Sequence, residues 1–102
     1  MEEVKIVEKK DGAITIALSG EIDLGNAEAF YQTVMEAYKT EPQNVVFDCE
    51  NLRFIDSTTL GTFVKILKGL KTDGFTMKIV NLQAKIKKLF LICSLDSIME
   101  IA

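Results

Sequence analysis

The sequence predicts a single α/β domain over residues 1–102, a mixed, mostly parallel β-sheet with helices packed on it, in the order β-β-α-β-α-β-α-β. Three observations carry that expectation. Alternating apolar residues flank Asp11-Gly12, three later segments repeat apolar residues at helical spacing, and a short apolar run follows each helix. Helices that alternate with strands after an opening hairpin imply parallel pairing through right-handed crossovers. A chain of 102 residues can bury one core, and no repeat, linker or low-complexity segment divides it.

Val4 and Ile6 alternate with Lys5 and Val7 in a first strand of edge character. Asp11-Gly12 is a hairpin signal, because both residues tolerate the positive φ of a tight turn. Ile14, Ile16 and Leu18 then alternate with Thr15, Ala17 and Ser19 in a second strand ending at Gly20. Asn26 offers an N-cap to a helix whose inner face carries Ala27, Phe30, Val34, Ala37 and Tyr38. Pro42, the only proline, ends that helix. Val45-Val46-Phe47 reads as a strand covered on both faces, with Cys49 to Ile55 as a connection. A second helix starts at Asp56 or Ser57, buries Leu60, Phe63, Val64, Leu67 and Leu70, and stops at Asp73-Gly74. Lys65, Lys68 and Lys71 crowd toward its C-terminal end, where the dipole favours cations. Phe75 to Val80 forms the next strand, Ile86, Leu89, Phe90 and Cys93 the face of a third helix, and Ile98 to Ile101 a last strand.

Composition excludes whole classes of function. There is no histidine, so Ser-His-Asp and Cys-His catalysis, histidine phosphotransfer and the usual histidine-containing zinc sites all fall away. A net charge of −3 lacks the basic footprint of direct nucleic-acid binding. Apolar runs reach about five residues where a membrane span needs roughly 20, so no membrane insertion is expected. Met1-Glu2-Glu3-Val4-Lys5 is unlike a secretory signal, and the expected location is cytoplasmic. Cys49 and Cys93 sit in apolar stretches without metal-ligand spacing, as reduced core residues would. No cofactor is implied.

The segment Asp56-Ser57-Thr58-Thr59 places four small oxygen-bearing residues where an apolar stretch meets an amphipathic helix. Capping a helix requires one such residue and contributes about 1 kcal/mol. A phosphate on Ser57 would add a charge of about −1.5 to −2 at a helix N-terminus, where backbone N–H groups and the dipole accept an anion. The fold would survive, but a partner docked over that end would meet a bulky dianion beside Asp56. Such a device is a binary switch.

Two stretches then carry a resemblance. Gly20-Glu21-Ile22-Asp23-Leu24-Gly25-Asn26-Ala27 resembles the G-E-[LI]-D-x-x-x-A segment of anti-sigma-factor antagonists, the STAS domain family. Asp56-Ser57-Thr58-Thr59-Leu60-Gly61 resembles their D-S-[SAT]-G-L-G switch, and Ile86-Lys87-Lys88-Leu89-Phe90 followed by Leu95 resembles their third helix. The resemblance runs in register along nearly the whole chain. It implies a regulator of sigma-factor-dependent transcription that is not an enzyme. Unphosphorylated, such a protein captures an anti-sigma factor that is also a serine kinase. Phosphorylation by that kinase ends the capture, and a phosphatase resets it. Residue by residue, the resemblance makes Ser57 the phosphorylation site and places Asp23, Asp56, Thr58, Thr59 and Gly61 with it at the partner-binding end. Thr59 departs from the family glycine and adds a branched side chain and another candidate hydroxyl. Many members also carry a further helix after the last strand, while this sequence ends at Ala102, so some surface is expected to be bare or partner-covered.

Two other readings compete. A STAS interaction module, acting as a scaffold or transporter accessory subunit, would use Ser57 only as a cap. An enzyme would use Asp23, Asp48 and Asp56 for acid–base or metal chemistry, against the lack of a Gly-rich phosphate loop and of histidine. Lys85, Lys87 and Lys88 read as a solvated helix face rather than a docking patch, and Phe54 and Phe63 as core or near-core residues.

Overall fold

In the computed structural model, which describes residues 1–102, Asp11 and Gly12 take φ of 58° and 77°. That two-residue turn joins β1 (Val4–Lys10) to β2 (Ala13–Ile22), which pair antiparallel. Val7 falls at a register shift between Ile6 and Glu8, a bulge that twists the exposed edge strand. Next come α1 (Ala27–Thr40), β3 (Asn44–Ile55), α2 (Ser57–Thr72), β4 (Met77–Val80), α3 (Ala84–Ile92) and β5 (Glu100–Ile101), with a 3₁₀ turn at Leu95–Ser97. The sheet runs in the order β1-β2-β3-β4-β5, and every pairing after the hairpin is parallel. The expected α/β fold with a mixed, mostly parallel sheet is therefore present in the expected order.

All three helices lie on one face of the sheet. Along β2 and β3, Ile14, Ile16, Leu18, Val45, Phe47 and Cys49 are buried, while Thr15, Ala17, Val46 and Asp48 between them are only half-buried. The expectation that Val45-Val46-Phe47 is covered on both faces is thus corrected. An apolar run resembles a two-sided strand, but Val46 is a β-branched residue on the open face.

The structure also lengthens β3, since Cys49 to Ile55 is strand and not connection. Two register shifts against β2, after Ala17 and after Gly20, each add a residue to β3. The buried positions consequently fall at Cys49, Leu52 and Ile55, a spacing of three that hides a strand from a search for period two. Gly20, at φ 68°, occupies the second shift, where a Cβ would be strained.

The core is organised by aromatic packing. Phe63 of α2 has ring centroids 5.2 Å from Phe30 of α1, 5.4 Å from Phe47 of β3 and 5.4 Å from Phe90 of α3. Tyr38 of α1 donates from its hydroxyl to Asp73 Oδ2, at 2.6 Å, tying α1 to the C-cap of α2. Burial, then the Asp73 hydrogen bond and charge, push the Tyr38 phenol up to about 12. Cys49 is buried as expected, and burial with the nearby Asp48 charge pushes its thiol up to about 12.

Three core expectations are corrected. Leu89 is 38% exposed, since only Ile86 and Phe90 of α3 reach the core. Cys93 is exposed, because α3 ends at Ile92 and the helical period stops before reaching it. Phe54 is 45% exposed, while the next residue of the shifted strand, Ile55, is buried. Phe63→Ala is expected to cost about 3–5 kcal/mol in urea denaturation, whereas Phe54→Ala should cost no more than about 1 kcal/mol.

Candidate functional site

β3 hands the chain to α2 in one residue. Ile55 is buried, Asp56 keeps an extended backbone (φ −116°, ψ −176°), and Ser57 is the first helical residue. Asp56 is the N-cap, and its Oδ1 accepts the backbone N–H of Thr59 at 3.0 Å. Its other oxygen accepts the backbone N–H of Leu24 at 2.9 Å, from a loop 32 residues earlier. One carboxylate thereby holds the first turn of α2 against the loop after β2.

Thr59 supplies a second tie between the same elements. It is wholly buried, and its Oγ1 donates to the Ile22 carbonyl at 2.5 Å while lying 3.1 Å from Asp56 Oδ1. The hydroxyl offered by the sequence as a further surface acceptor is turned inward. Ser57 and Thr58 are exposed, so of the three hydroxyls only that of Thr59 is committed to these acceptors.

The loop at 23–26 is held by its own polar side chains. Asp23 Oδ1 accepts the Gly25 N–H at 2.9 Å, and the Asp23 N–H donates to Asn26 Oδ1 at 2.8 Å. Asn26 Nδ2 donates in turn to the Glu21 carbonyl at 2.9 Å. Asn26 occupies the N-cap position of α1 but makes no side-chain cap bond, because that side chain is engaged in the loop. The loop displays Leu24, 76% exposed, beside the α2 N-terminus. Leu24 and Phe54 were not among the residues the motif singled out. The sequence signal for Leu24 was an apolar residue inside a polar turn, and the signal for Phe54 was hidden by the shifted register.

Electrostatics at this end come from amides rather than from a cation. The Thr59 N–H chiefly, with the Leu24 N–H and the Thr59 hydroxyl, holds the Asp56 carboxyl below its ordinary value, against a smaller opposing effect of desolvation. Gly61 lies in the first turns of α2, exposed, with nothing within 4 Å of the place a Cβ would occupy. Helical glycine costs about 1 kcal/mol relative to alanine, and no neighbour in this chain requires it.

The structure brings Asp23, Asp56, Ser57, Thr58 and Thr59 to one end of the sheet, where the strands finish. Asp48 stands apart, its Oδ1 accepting from the Glu50 N–H and from Asn81 Nδ2. No three His, Cys, Asp or Glu side chains gather as a metal-binding group. Neither of the two surface grooves includes Ser57. The arrangement presents hydroxyls at a helix N-terminus and provides a rigid support beneath them.

Thr59→Val fills the same volume without the hydroxyl and is expected to cost about 1–3 kcal/mol in urea denaturation, with Thr59→Ser costing less. Asp56 binds a proton less readily folded than unfolded. Its stabilisation is therefore full above the unfolded value near 3.8 and is lost as pH falls through the lower folded value. Asp56→Asn removes that titration. The stability gap between wild type and variant should hold steady down to about pH 5 and narrow below it, in denaturation curves taken across pH.

Comparison with known proteins gives a consistent assignment. The family model described as the STAS domain matches residues 5–102. The anti-sigma-B factor antagonist of Bacillus subtilis is 27% identical over 96 residues, covering 94% of this chain and 87% of that protein. The anti-sigma-B factor antagonist of Staphylococcus aureus is 25% identical over 92 residues, covering 90% and 85%. Among solved structures, a candidate anti-sigma factor antagonist from Thermotoga maritima is 26% identical with a TM-score of 0.83, covering 96% of this chain and 82% of that one. The fold also matches SpoIIAA in its unphosphorylated form, at 17% identity, a TM-score of 0.75 and coverage of 97% and 86%. Sheet order, helix placement and the family match agree, and the chain belongs to the STAS domain family.

Proposed function

We propose that this protein is an anti-sigma factor antagonist. It captures an anti-sigma factor with serine kinase activity through the α2 N-terminus, and phosphorylation of Ser57 ends the capture. The observation that carries the proposal is the exposed Ser57 hydroxyl at the first position of α2, braced from behind by the bonds of Asp56 and Thr59. The names of the relatives support the class of activity.

The chemistry of the switch follows from that placement. Unphosphorylated, the end offers Ser57, Thr58 and the bare backbone of Gly61 to a closely approaching surface. A phosphate on Ser57 is tolerated by the protein itself, since the first turn of α2 presents backbone N–H groups and the positive end of the helix dipole. The partner meets the added charge next to an Asp56 that is already ionised, and loses the contact through desolvation and repulsion. The phosphorylated form of SpoIIAA matches this fold with a TM-score of 0.74, against 0.75 for the unphosphorylated form, in keeping with a switch that leaves the fold alone. Asp23 acts by shaping the loop that carries Leu24, and Thr59 acts from beneath. A phosphatase resets the switch.

The same fold also forms a small part of the mouse Slc26a9 anion transporter, at 17% identity and a TM-score of 0.75, covering 93% of this chain and 17% of that one. The occurrence of this fold within a transporter favours, as the second reading, an interaction module without a phosphorylation switch. The two readings separate in one experiment. With the candidate kinase and Mg-ATP, phosphate should appear on Ser57 by mass spectrometry. Ser57→Ala should bind that kinase as wild type does, and Ser57→Asp should bind at least about tenfold more weakly, about 1.4 kcal/mol. Equal binding by both variants, with no phosphate at 57 or 58, would leave the interaction module as the reading.

A further inference from the structure

A second surface at the same end of the sheet has a chemistry of its own. An open groove of about 260 Å³ runs between the end of β3 and α3, lined by Arg53, Phe54, Ile55, Lys85, Ile86 and Leu89. Ile55 and Ile86 are buried and form its floor, while Phe54 and Leu89 stand 45% and 38% exposed on its walls. On α3, Lys85, Lys88, Leu89 and Ile92 recur at i, i+3, i+4 and i+7, so they share one stripe beside the core-facing pair Ile86 and Phe90. Ile92 extends the apolar wall and is 68% exposed.

The charges that line this groove are of one sign, Arg53 and Lys85, while two carboxylates stand just beyond its edge, Glu21 opposite Phe54 on β2 and Asp56 after Ile55. Arg53 and Lys85 on the lining, with Lys87 and Lys88 on the same helix, make up four of the chain's twelve cations, and no carboxylate lines the groove. The only ion pair in the molecule is Lys78 with Glu100, at 3.1 Å, so all four cations are free of carboxylate partners. A protein of net charge −3 thus gathers unpaired positive charge around its exposed aromatic and leucine side chains. The larger groove, beside the α2 C-terminus and β5, differs: Lys71 and Lys78 there are balanced by Asp96 and Glu100.

We propose that the groove between β3 and α3 is a docking site for an acidic segment of a partner protein. The segment inserts an apolar side chain between Phe54 and Leu89 and sets its carboxylates against Arg53 and Lys85. Charge complementarity selects the partner, and the fully desolvated apolar anchor supplies the affinity. A concave site for one side chain suits a peptide segment. An anionic bilayer would want a protruding apolar edge, and it would be repelled by the acidic remainder of this chain. Ile55 lies two residues before Ser57, so a protein seated over the α2 N-terminus reaches the groove. The site itself does not require Ser57 to be phosphorylated.

The test is an amide-shift titration of isotope-labelled protein with three probes. They are a short synthetic peptide of leucine and phenylalanine flanked by aspartate and glutamate, the same peptide with lysine in place of the acids, and phosphatidylglycerol–phosphatidylcholine vesicles. The acidic peptide should give saturable shifts confined to residues 53–55 and 85–92. Arg53→Glu combined with Lys85→Glu should weaken it about tenfold or more and bring the lysine peptide level with it or ahead. Leu89→Gln should weaken both peptides, and the amide spectra of the variants report that they are folded. Absent or scattered shifts with the wild-type protein would overturn the proposal, as would equal binding of the two peptides. Vesicle binding that the Arg53 and Lys85 charge reversals abolish would replace the peptide partner with a membrane surface.

Discussion

Phe63 touches an aromatic ring from each of three other elements: Phe30 of α1, Phe47 of β3 and Phe90 of α3. The first two contacts are edge-to-face and the one with Phe90 is tilted. Aromatic pairs add about 0.5–1.5 kcal/mol each beyond their area, and here one residue takes part in three. The geometry forces all three helices onto the face of the sheet that carries Phe47. It also sets where α2 lies, and with it the direction in which its N-terminus points. Ser57 is six residues before Phe63 on the same helix, so the exposed end inherits its position from the core.

That inherited position would still leave a helix end free to fray. Asp56 and Thr59 remove the freedom by bonding to a different part of the chain, the Leu24 amide and the Ile22 carbonyl. Most N-caps satisfy only their own helix, whereas this one also fastens the end of β2. Thr59 changes meaning in this light. In place of the family glycine it adds nothing to the surface and instead contributes a buried hydrogen bond beneath the surface residues. Gly61 is the converse case, a glycine with no internal reason, which directs attention to what approaches from outside.

One-sided coverage of the sheet has a further consequence. Since the helices share one face, the ends of β3 and α3 meet at the same rim that carries the α2 N-terminus, and Arg53, Phe54, Lys85 and Leu89 converge there. Polar hydroxyls, an ionised aspartate, an exposed leucine and a basic apolar groove therefore lie along one end of a small molecule. A protein partner of ordinary interface size would cover several of them together.

The order of elements, the hairpin turn, the inner faces of the first two helices and the Asp56-Ser57 junction were all legible in the sequence. Each depends on local rules: positive φ at Asp11-Gly12, 3.6-residue spacing in the helices, and oxygen-bearing residues at an N-cap. The length of β3, the exposure of Phe54 and the inward turn of Thr59 were not legible. They depend on register shifts against β2 and on a carbonyl 37 residues away, which no local pattern encodes. Cys93 shows the same limit at a helix end, where the period continues in the sequence after the helix has stopped. Local chemistry determined which residues could form a switch. Long-range pairing decided which of them reach solvent, because burial is a property of what lies opposite a residue and not of its neighbours along the chain.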